Sequence, residues 1–127
     1  MATISEAFAI AVRHHQAGRL QAAEEIYRQI LRVEPNEANA WHFLGAIAHE
    51  MGNEAAALEY IARAIALKGN VAAFHVNLGE VHRAAGRISK ALACYRQAMQ
   101  LNPHYAEAHY NLGKLFKEQG KHEKALA

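Results

Sequence analysis

Residues 38–51 read ANAWHFLGAIAHEM, and residues 54–67 read EAAALEYIARAIAL. Apolar side chains recur in the first stretch at Trp41, Leu44, Ile47 and Ala48. They recur in the second at Leu58, Ile61, Ala62 and Ile65. Steps of three and four residues place such side chains on one face of a helix. Gly52 breaks the first helix and Asn53 can cap the next, so the stretch is predicted to be a helix–turn–helix hairpin.

This hairpin recurs along the chain with a period of 34 residues. Five series of residues keep the spacing: Gly18, Gly52, Gly86 and Gly120; Gly45, Gly79 and Gly113; Ala23, Ala57, Ala91 and Ala125; Leu44, Leu78 and Leu112; and Pro35, Gly69 and Pro103. One hairpin cannot bury its apolar face alone, so stacked neighbours supply the core. The pattern predicts helices over 5–17, 20–33, 38–51, 54–67, 72–85, 88–101 and 106–119, with a short stub from 122.

Two of these series suggest how the helices pack. Gly45, Gly79 and Gly113 are expected where the two helices of a hairpin cross, because a side chain there would push them apart. The large residues of the return helices are expected to fill the gap between successive hairpins; they are Tyr27, Ile61 and Tyr95.

The composition excludes several classes of protein. The 127 residues carry a formal net charge of only +2, which is too small to indicate a nucleic-acid-binding protein. The single cysteine, Cys94, cannot form an intramolecular disulfide and is interpreted as a small packed residue. Neither a secretory signal nor a run of about 18 apolar residues is present, so we expect a cytoplasmic protein with no membrane partner.

The repeat unit resembles that of the tetratricopeptide-repeat (TPR) family. Its slots are matched by Trp41, Leu44-Gly45, Ala57 and Ile61 in one unit, and by Leu78-Gly79, Ala91, Tyr95 and Pro103 in the next. The resemblance implies an all-α fold, a right-handed superhelical solenoid of antiparallel helix hairpins. It covers nearly the whole chain as one domain, 1–127, with about three and a half repeats over 4–37, 38–71, 72–105 and a shortened 106–127. The sequence resembles the TPR arrays of bacterial TPR scaffold proteins and O-linked GlcNAc transferase-like proteins.

In this family the first helix of each hairpin lines a concave groove that holds a peptide. The resemblance implies a groove containing His42, Phe43, His49, Asn77, Glu80, Arg83, Tyr110, Asn111, Lys114 and Lys117. Asn77 and Asn111 occupy matching slots and form a short version of the asparagine ladder of O-linked GlcNAc transferases. A side-chain amide both donates and accepts, so it can hold a peptide backbone of any sequence. The ladder is incomplete, because Phe43 and Ala9 fill the two earlier slots.

The basic groove residues Arg83, Lys114 and Lys117 could attract an acidic segment, or they could form an ordinary solvated helix face. The carboxylate clamp of chaperone-binding TPR domains is not expected, because its positions are filled by Phe8, Val12, Phe43, Ala73 and Asn77.

Nine histidines raise two further hypotheses. A metal site is disfavoured, because their spacing matches no known ligand motif. His15, His42 and His49 are instead expected to titrate between about pH 6 and 7 and to change the charge of the groove. His14, His75, His82 and His109 are interpreted as packing residues between helices.

The sequence therefore predicts a non-catalytic scaffold that binds a protein or an extended peptide, with no cofactor. Two alternatives stay open. The chain could be a recruiting or regulatory TPR segment of a larger enzyme, such as an O-linked GlcNAc transferase-like protein. It could also be a self-assembly module, because residues 106–127 leave the fourth hairpin incomplete and could pair with a second copy, unless further repeats follow in a longer protein.

Overall fold

The computed structural model describes residues 3–126, with side chains described through Lys121. Seven α-helices and no strand occur in that range, so the all-α helical-repeat solenoid of about three and a half repeats is confirmed. The helices are α1 (Ile4–Gln16), α2 (Leu20–Val33), α3 (Ala38–Glu50), α4 (Glu54–Leu67), α5 (Ala72–Ala84), α6 (Ile88–Leu101) and α7 (Ala106–Leu126). They form two compact units, one ending at Gly69 and one beginning at Asn70, and each is described by itself. No helix among the described residues is long and apolar enough to cross a membrane.

The turns within the first three hairpins share one hydrogen-bonded form. Gly18, Gly52 and Gly86 have φ of +79°, +80° and +81°, the left-handed conformation that favours glycine. At each turn the next residue donates its backbone N–H to a carbonyl five residues earlier; Arg19 donates to His14 O at 2.8 Å, for example. This is the Schellman arrangement, and it satisfies carbonyl groups that the helix end leaves free.

The two units have separate cores of similar composition. In the unit that contains α1 to α4, the core residues are Ala11, Ala23, Tyr27, Ile30, Ala40, Leu44 and Ile47. In the unit that contains α5 to α7, they are Val76, Ala91, Tyr95, Ala98, Ala108 and Leu115. Small alanines between large residues let antiparallel helices approach closely, which is what the 34-residue period predicted.

Two of the three slot glycines lie at helix crossings, as predicted. A Cβ at Gly45 would lie 2.5 Å from Ile61 Cγ1, and one at Gly79 would lie 2.6 Å from Tyr95 Cε1. Ile61 and Tyr95 therefore pack against the glycine of their own hairpin. Tyr95 also lies in one core cluster with Ala108 and Leu115 of α7, so its packing extends to the next hairpin as predicted, whereas for Ile61 this stays a prediction. Tyr27 does contact two hairpins, because its ring packs with Phe8 on α1 and stacks on Phe43 of α3.

The last helix differs from the predicted break at Gly120. α7 continues to Leu126 as one helix of 21 residues, and Gly120 does not take the positive φ of Gly18, Gly52 and Gly86. The residues after Gly120 are strong helix formers, so continuation of the helix is their local preference. In the second and third hairpins the chain turns instead, because the second helix packs against the first. Ile61 and Tyr95, on the second helices, make such contacts.

Three hydrogen bonds recur in both units at twice the repeat period. Arg19 Nε donates to His14 Nδ1 at 2.8 Å, and Arg87 Nε donates to His82 Nδ1 at 2.9 Å. Trp41 Nε1 donates to Pro35 O at 2.9 Å, and His109 Nε2 donates to Pro103 O at 2.7 Å. The hydrogen bond between His15 and Glu50 corresponds to the one between Arg83 and Glu118. Three of the histidines assigned to packing, at 14, 82 and 109, therefore hold turns through hydrogen bonds.

Candidate functional site

A polar surface follows α5 and α7, which pack together within the second unit. Asn77 and Asn111 occupy matching slots on the two helices, and so do Glu80 and Lys114. We call these residues, together with Arg83 and Glu118, which bond each other, the α5–α7 polar face. Asn77 and Asn111 are both partly exposed. The surface thus brings together five of the residues predicted for a peptide-binding groove, and it adds Glu118, which the sequence analysis missed.

Glu80 is the centre of a hydrogen-bond network on this face. Arg83 donates to both of its carboxylate oxygens, from Nη2 at 2.9 Å and from Nε at 3.2 Å. The Tyr95 hydroxyl of α6 donates to the same carboxylate. Burial alone would raise the pKa of Glu80, but the bonds from Arg83 and Tyr95 outweigh it and hold that pKa below its usual value. Glu80 is therefore an ionised anchor that ties α5 to α6.

Arg83 also ties α5 to α7. Its Nη1 donates to both carboxylate oxygens of Glu118, at 3.0 and 3.2 Å. With carboxylates of Glu80 and Glu118 on the same guanidinium, Arg83 is neutralised within the unit. Of the three basic residues predicted for the groove, Lys114 and Lys117 remain to attract a ligand, and Lys114 also lowers the pKa of Glu80.

The predicted groove residues of α3 behave differently. His42 is buried, with 7% of its surface exposed, and burial lowers its pKa to about 4. The prediction that His42 faces a groove and titrates between about pH 6 and 7 was therefore wrong. Its slot on the helix faces the core of this unit, as that of Val76 does on α5.

Phe43 contributes to packing as well. Its ring stacks on Tyr27 at 5.3 Å and meets the ring of Phe8 edge-on at 6.3 Å. It is only partly buried, so an apolar surface stays open beside this cluster. His49 is also partly buried.

A second aromatic cluster surrounds Trp41. The Arg63 guanidinium lies 4.8 Å from the centre of the Trp41 ring, and Tyr60 packs at 5.8 Å from it. Arg28 Nη2 donates to the Tyr60 hydroxyl at 3.0 Å. These contacts cover the indole and join α2, α3 and α4, so the cluster is accounted for by packing.

Tyr110, Lys114 and Lys117 line a shallow depression of about 400 Å³ on α7, together with His109 and Gly113. Tyr110 is 71% exposed, whereas the matching residues His42 and Val76 are buried. The slot of Tyr110 is thus a buried one on α3 and α5. On α7, Tyr110 and Lys117 share this depression with Lys114, at the edge of the α5–α7 polar face.

Two kinds of chemistry find no support in the described part of the chain. Burial raises the pKa of the half-buried Cys94, which keeps its thiol protonated and poorly nucleophilic. Among residues 3–121, no group of three His, Cys, Asp or Glu side chains is placed to hold a metal ion.

Comparison with known families and structures agrees with the fold. A tetratricopeptide-repeat profile matches residues 8–72, and a second TPR profile matches residues 79–120. No curated protein sequence matches the chain.

Among solved structures, a mutant O-GlcNAc transferase from Thermobaculum terrenum is similar over 91% of this chain, with 30% identity and a TM-score of 0.85. The chain spans only 23% of that transferase. MamA is similar over 91% of this chain and 68% of its own, with 26% identity and a TM-score of 0.73. The first TPR of Spaghetti (RPAP3), bound to an HSP90 peptide, has a TM-score of 0.82 over 92% of this chain and 93% of its own. Its identity of 16% makes it a likeness of fold alone.

Proposed function

Because the chain belongs to the tetratricopeptide-repeat family, we propose that it is a non-catalytic scaffold that holds an extended peptide segment on the α5–α7 polar face. TPR domains bind peptides or proteins and are typically non-catalytic. The observation that carries the proposal is the pair of matched amides, Asn77 and Asn111, on two helices that pack together.

The chemistry of an amide suits an extended ligand. An asparagine side chain offers a carbonyl acceptor and an NH₂ donor, which together complement one peptide unit of a strand-like segment. Two such side chains in equivalent slots can hold successive peptide units. Binding of this kind depends on the ligand's backbone, so it tolerates many ligand sequences.

The charged residues beside the amides act mainly as supports. Arg83 bonds Glu80 on its own helix and Glu118 on α7, which fixes the two helices before a ligand arrives. A preformed surface loses less entropy when it binds. Since Glu80, Arg83, Lys114 and Glu118 carry two charges of each sign, we expect the affinity to depend only weakly on salt.

A selection experiment tests the proposal. The wild-type chain is used to select peptides from a displayed library of random sequence, and the affinity of a selected peptide is then measured by calorimetry. Replacing Asn77 and Asn111 together with alanine should weaken binding at least about tenfold, which is the loss of roughly one hydrogen bond in net terms. The matched control replaces Gln97 and Gln100, exposed amides of α6, and should leave affinity unchanged. Equal affinities in all three proteins, or a library that yields no peptide, would refute the proposal.

The similarity to O-GlcNAc transferase favours a second candidate. At 30% identity over 91% of this chain, the TPR segment of that enzyme is a close structural match. On this proposal the chain recruits substrates for a catalytic domain on the same polypeptide. Reading the gene on the 3′ side of the Ala127 codon tests it: a transferase domain in frame is the expected result, and a stop codon or an unrelated domain contradicts it.

A further inference from the structure

Within the second unit, one face of α7 packs against no other helix among the residues whose side chains the structure describes, 70–121. Going around the helix, this face comprises His109, Tyr110, Gly113, Phe116 and Lys117, and we call it the α7 outer face. All five residues are exposed, with Tyr110 at 71% and Phe116 at 50%. It lies on a different side of the helix from Asn111 and Glu118, and Lys114 lies between the two surfaces.

The complete hairpins show what such a face accepts. A Cβ at Gly45 or Gly79 would touch Ile61 or Tyr95 of a second helix, whereas a Cβ at Gly113 has no atom within 4 Å. The slots of Tyr110 and Phe116 hold the buried residues His42 and Ala48 on α3. Arg83 and His15 occupy the slot of Lys117 in earlier repeats, and each forms a hydrogen bond with the glutamate 35 residues after it. The face therefore has room for a second helix, and the slot of Lys117 pairs in other repeats with a carboxylate on the first helix of the next hairpin.

We propose that the α7 outer face binds the same face of a second copy of this chain, antiparallel and with Gly113 opposite Gly113. About this two-fold axis, residues equally far from 113 come to the same height along the helices, and each flank of α7 meets the same flank of the second copy. Ala106 then meets Gly120 of the second copy, so no large side chain keeps the helices apart. Phe116 of one copy lies against His109 of the other, which is a contact between two rings, and Tyr110 lies against Lys117, which is a cation–π contact. The two-fold axis repeats each contact once.

The charges of α7 suit this arrangement. Glu107 and Lys121 are both exposed and lie on the flank of the helix that meets the same flank of the second copy. In the antiparallel pairing, Glu107 of one copy comes within about one helical turn of Lys121 and Lys117 of the other. Lys114 would approach its own equivalent, but in each copy it is already close enough to Glu80 to lower the pKa of that carboxyl. The two-fold axis thus brings two pairs of opposite charge together. It also places Glu107 of the second copy near Lys117, whose slot is paired with a glutamate in other repeats.

The expected complex is weak. α7 is 21 residues long, about 31 Å, and one pair of helices buries less area than a permanent dimer needs. We therefore expect a monomer–dimer equilibrium that is visible only at high concentration. Sedimentation velocity from low micromolar to near-millimolar protein should show a rise toward twice the 14.0 kDa mass of the chain.

Three variants locate the contact. Gly113→Glu places two carboxylates face to face across the two-fold axis and should weaken dimerisation at least tenfold; nothing lies within 4 Å of that Cβ, so the monomer keeps its fold. Glu107→Lys and Lys121→Glu should each weaken the homodimer, and an equimolar mixture of the two should recover association, because each interface then pairs opposite charges. Ala93→Glu, which adds the same charge at an exposed position of α6, is the control and should dimerise like wild type.

Two outcomes overturn the proposal. One is a wild-type chain that stays monomeric across the whole concentration range, and the other is a dimer that Gly113→Glu leaves intact. Circular dichroism of each variant reports whether the helices persist. Because the experiment contains no peptide, its result does not depend on the function proposed for the α5–α7 polar face.

Discussion

The Tyr95 hydroxyl donates to the carboxylate of Glu80 across the α5–α6 hairpin. Tyr27 occupies the same slot two repeats earlier and is equally buried, with no exposed surface in either case. Its hydroxyl has no hydrogen-bond partner among the described residues, because Val12 stands where the later repeat has Glu80. Two tyrosines in one structural position thus have opposite hydrogen-bonding states, decided by one residue on the neighbouring helix.

This difference predicts opposite effects of removing the two hydroxyls. Tyr95→Phe should destabilise the protein by about 1–2 kcal/mol, since it removes a partly buried hydrogen bond to a charged group. Tyr27→Phe should be neutral, or stabilising by up to about 1 kcal/mol, because a buried hydroxyl without a partner carries a desolvation cost. The measurement is the urea midpoint of each variant followed by circular dichroism. Equal losses in both variants would show that Tyr27 has a partner.

The slot glycines provide a second matched comparison. Gly79→Ala should cost about 1–3 kcal/mol, because its Cβ would lie 2.6 Å from Tyr95 Cε1 and the buried ring would have to move. Gly113→Ala meets nothing within 4 Å and should stabilise α7 by up to about 1 kcal/mol through helix propensity. Thermal unfolding of the two variants against wild type gives the answer. A stabilised Gly79→Ala protein would mean that α5 and α6 do not cross closely at this glycine.

The 34-residue period predicted most of the fold because it encodes local and repeated features. The predicted limits of the first six helices lie close to the observed ones, because the turn glycines and the apolar faces indicate the same limits. The limit at Gly120 failed because a glycine marks a turn only where tertiary packing favours the turn over a longer helix. That residues 1–127 form one domain stays a prediction, since the helices group into two units.

The candidate site was harder to predict than the fold. The amides at 77 and 111 followed from the period, but the burial of His42 did not, because nothing local distinguishes its slot from an exposed one. Glu118 was missed even though the sequence holds a signal for it: His15 and Arg83 share a slot, and a glutamate follows each by 35 residues. The pairing becomes recognisable only when the structure shows that this offset joins neighbouring helices.

The Arg83 network predicts unequal effects from its two ends. Arg83→Met should cost about 2–3 kcal/mol, because it leaves the half-buried Glu80 without its cation. Glu118→Gln should cost less than about 1 kcal/mol, since the Glu118 side chain is 45% exposed and solvent screens its ion pair. Urea titrations at low and high salt measure both, and the Glu118 effect should shrink as salt rises. A larger loss for Glu118→Gln than for Arg83→Met would contradict this ranking.

Burial of His42 predicts that stability depends on pH in a defined window. The pKa of His42 falls from 6.5 in the unfolded chain to about 4 in the fold, so the unfolded chain binds the proton more readily. The free energy of unfolding keeps its full value above about pH 6.5 and decreases as the pH falls toward 4. The decrease due to His42 is about 3 kcal/mol in all, of which roughly 2 kcal/mol occurs between about pH 7 and pH 5. The matched variant is His42→Val, because Val76 fills the equivalent buried slot of α5. Urea midpoints at the two pH values should converge in this variant, leaving only the dependence due to the other titrating groups. An unchanged dependence in His42→Val would place the responsible proton on another residue and would show that His42 is solvated in solution.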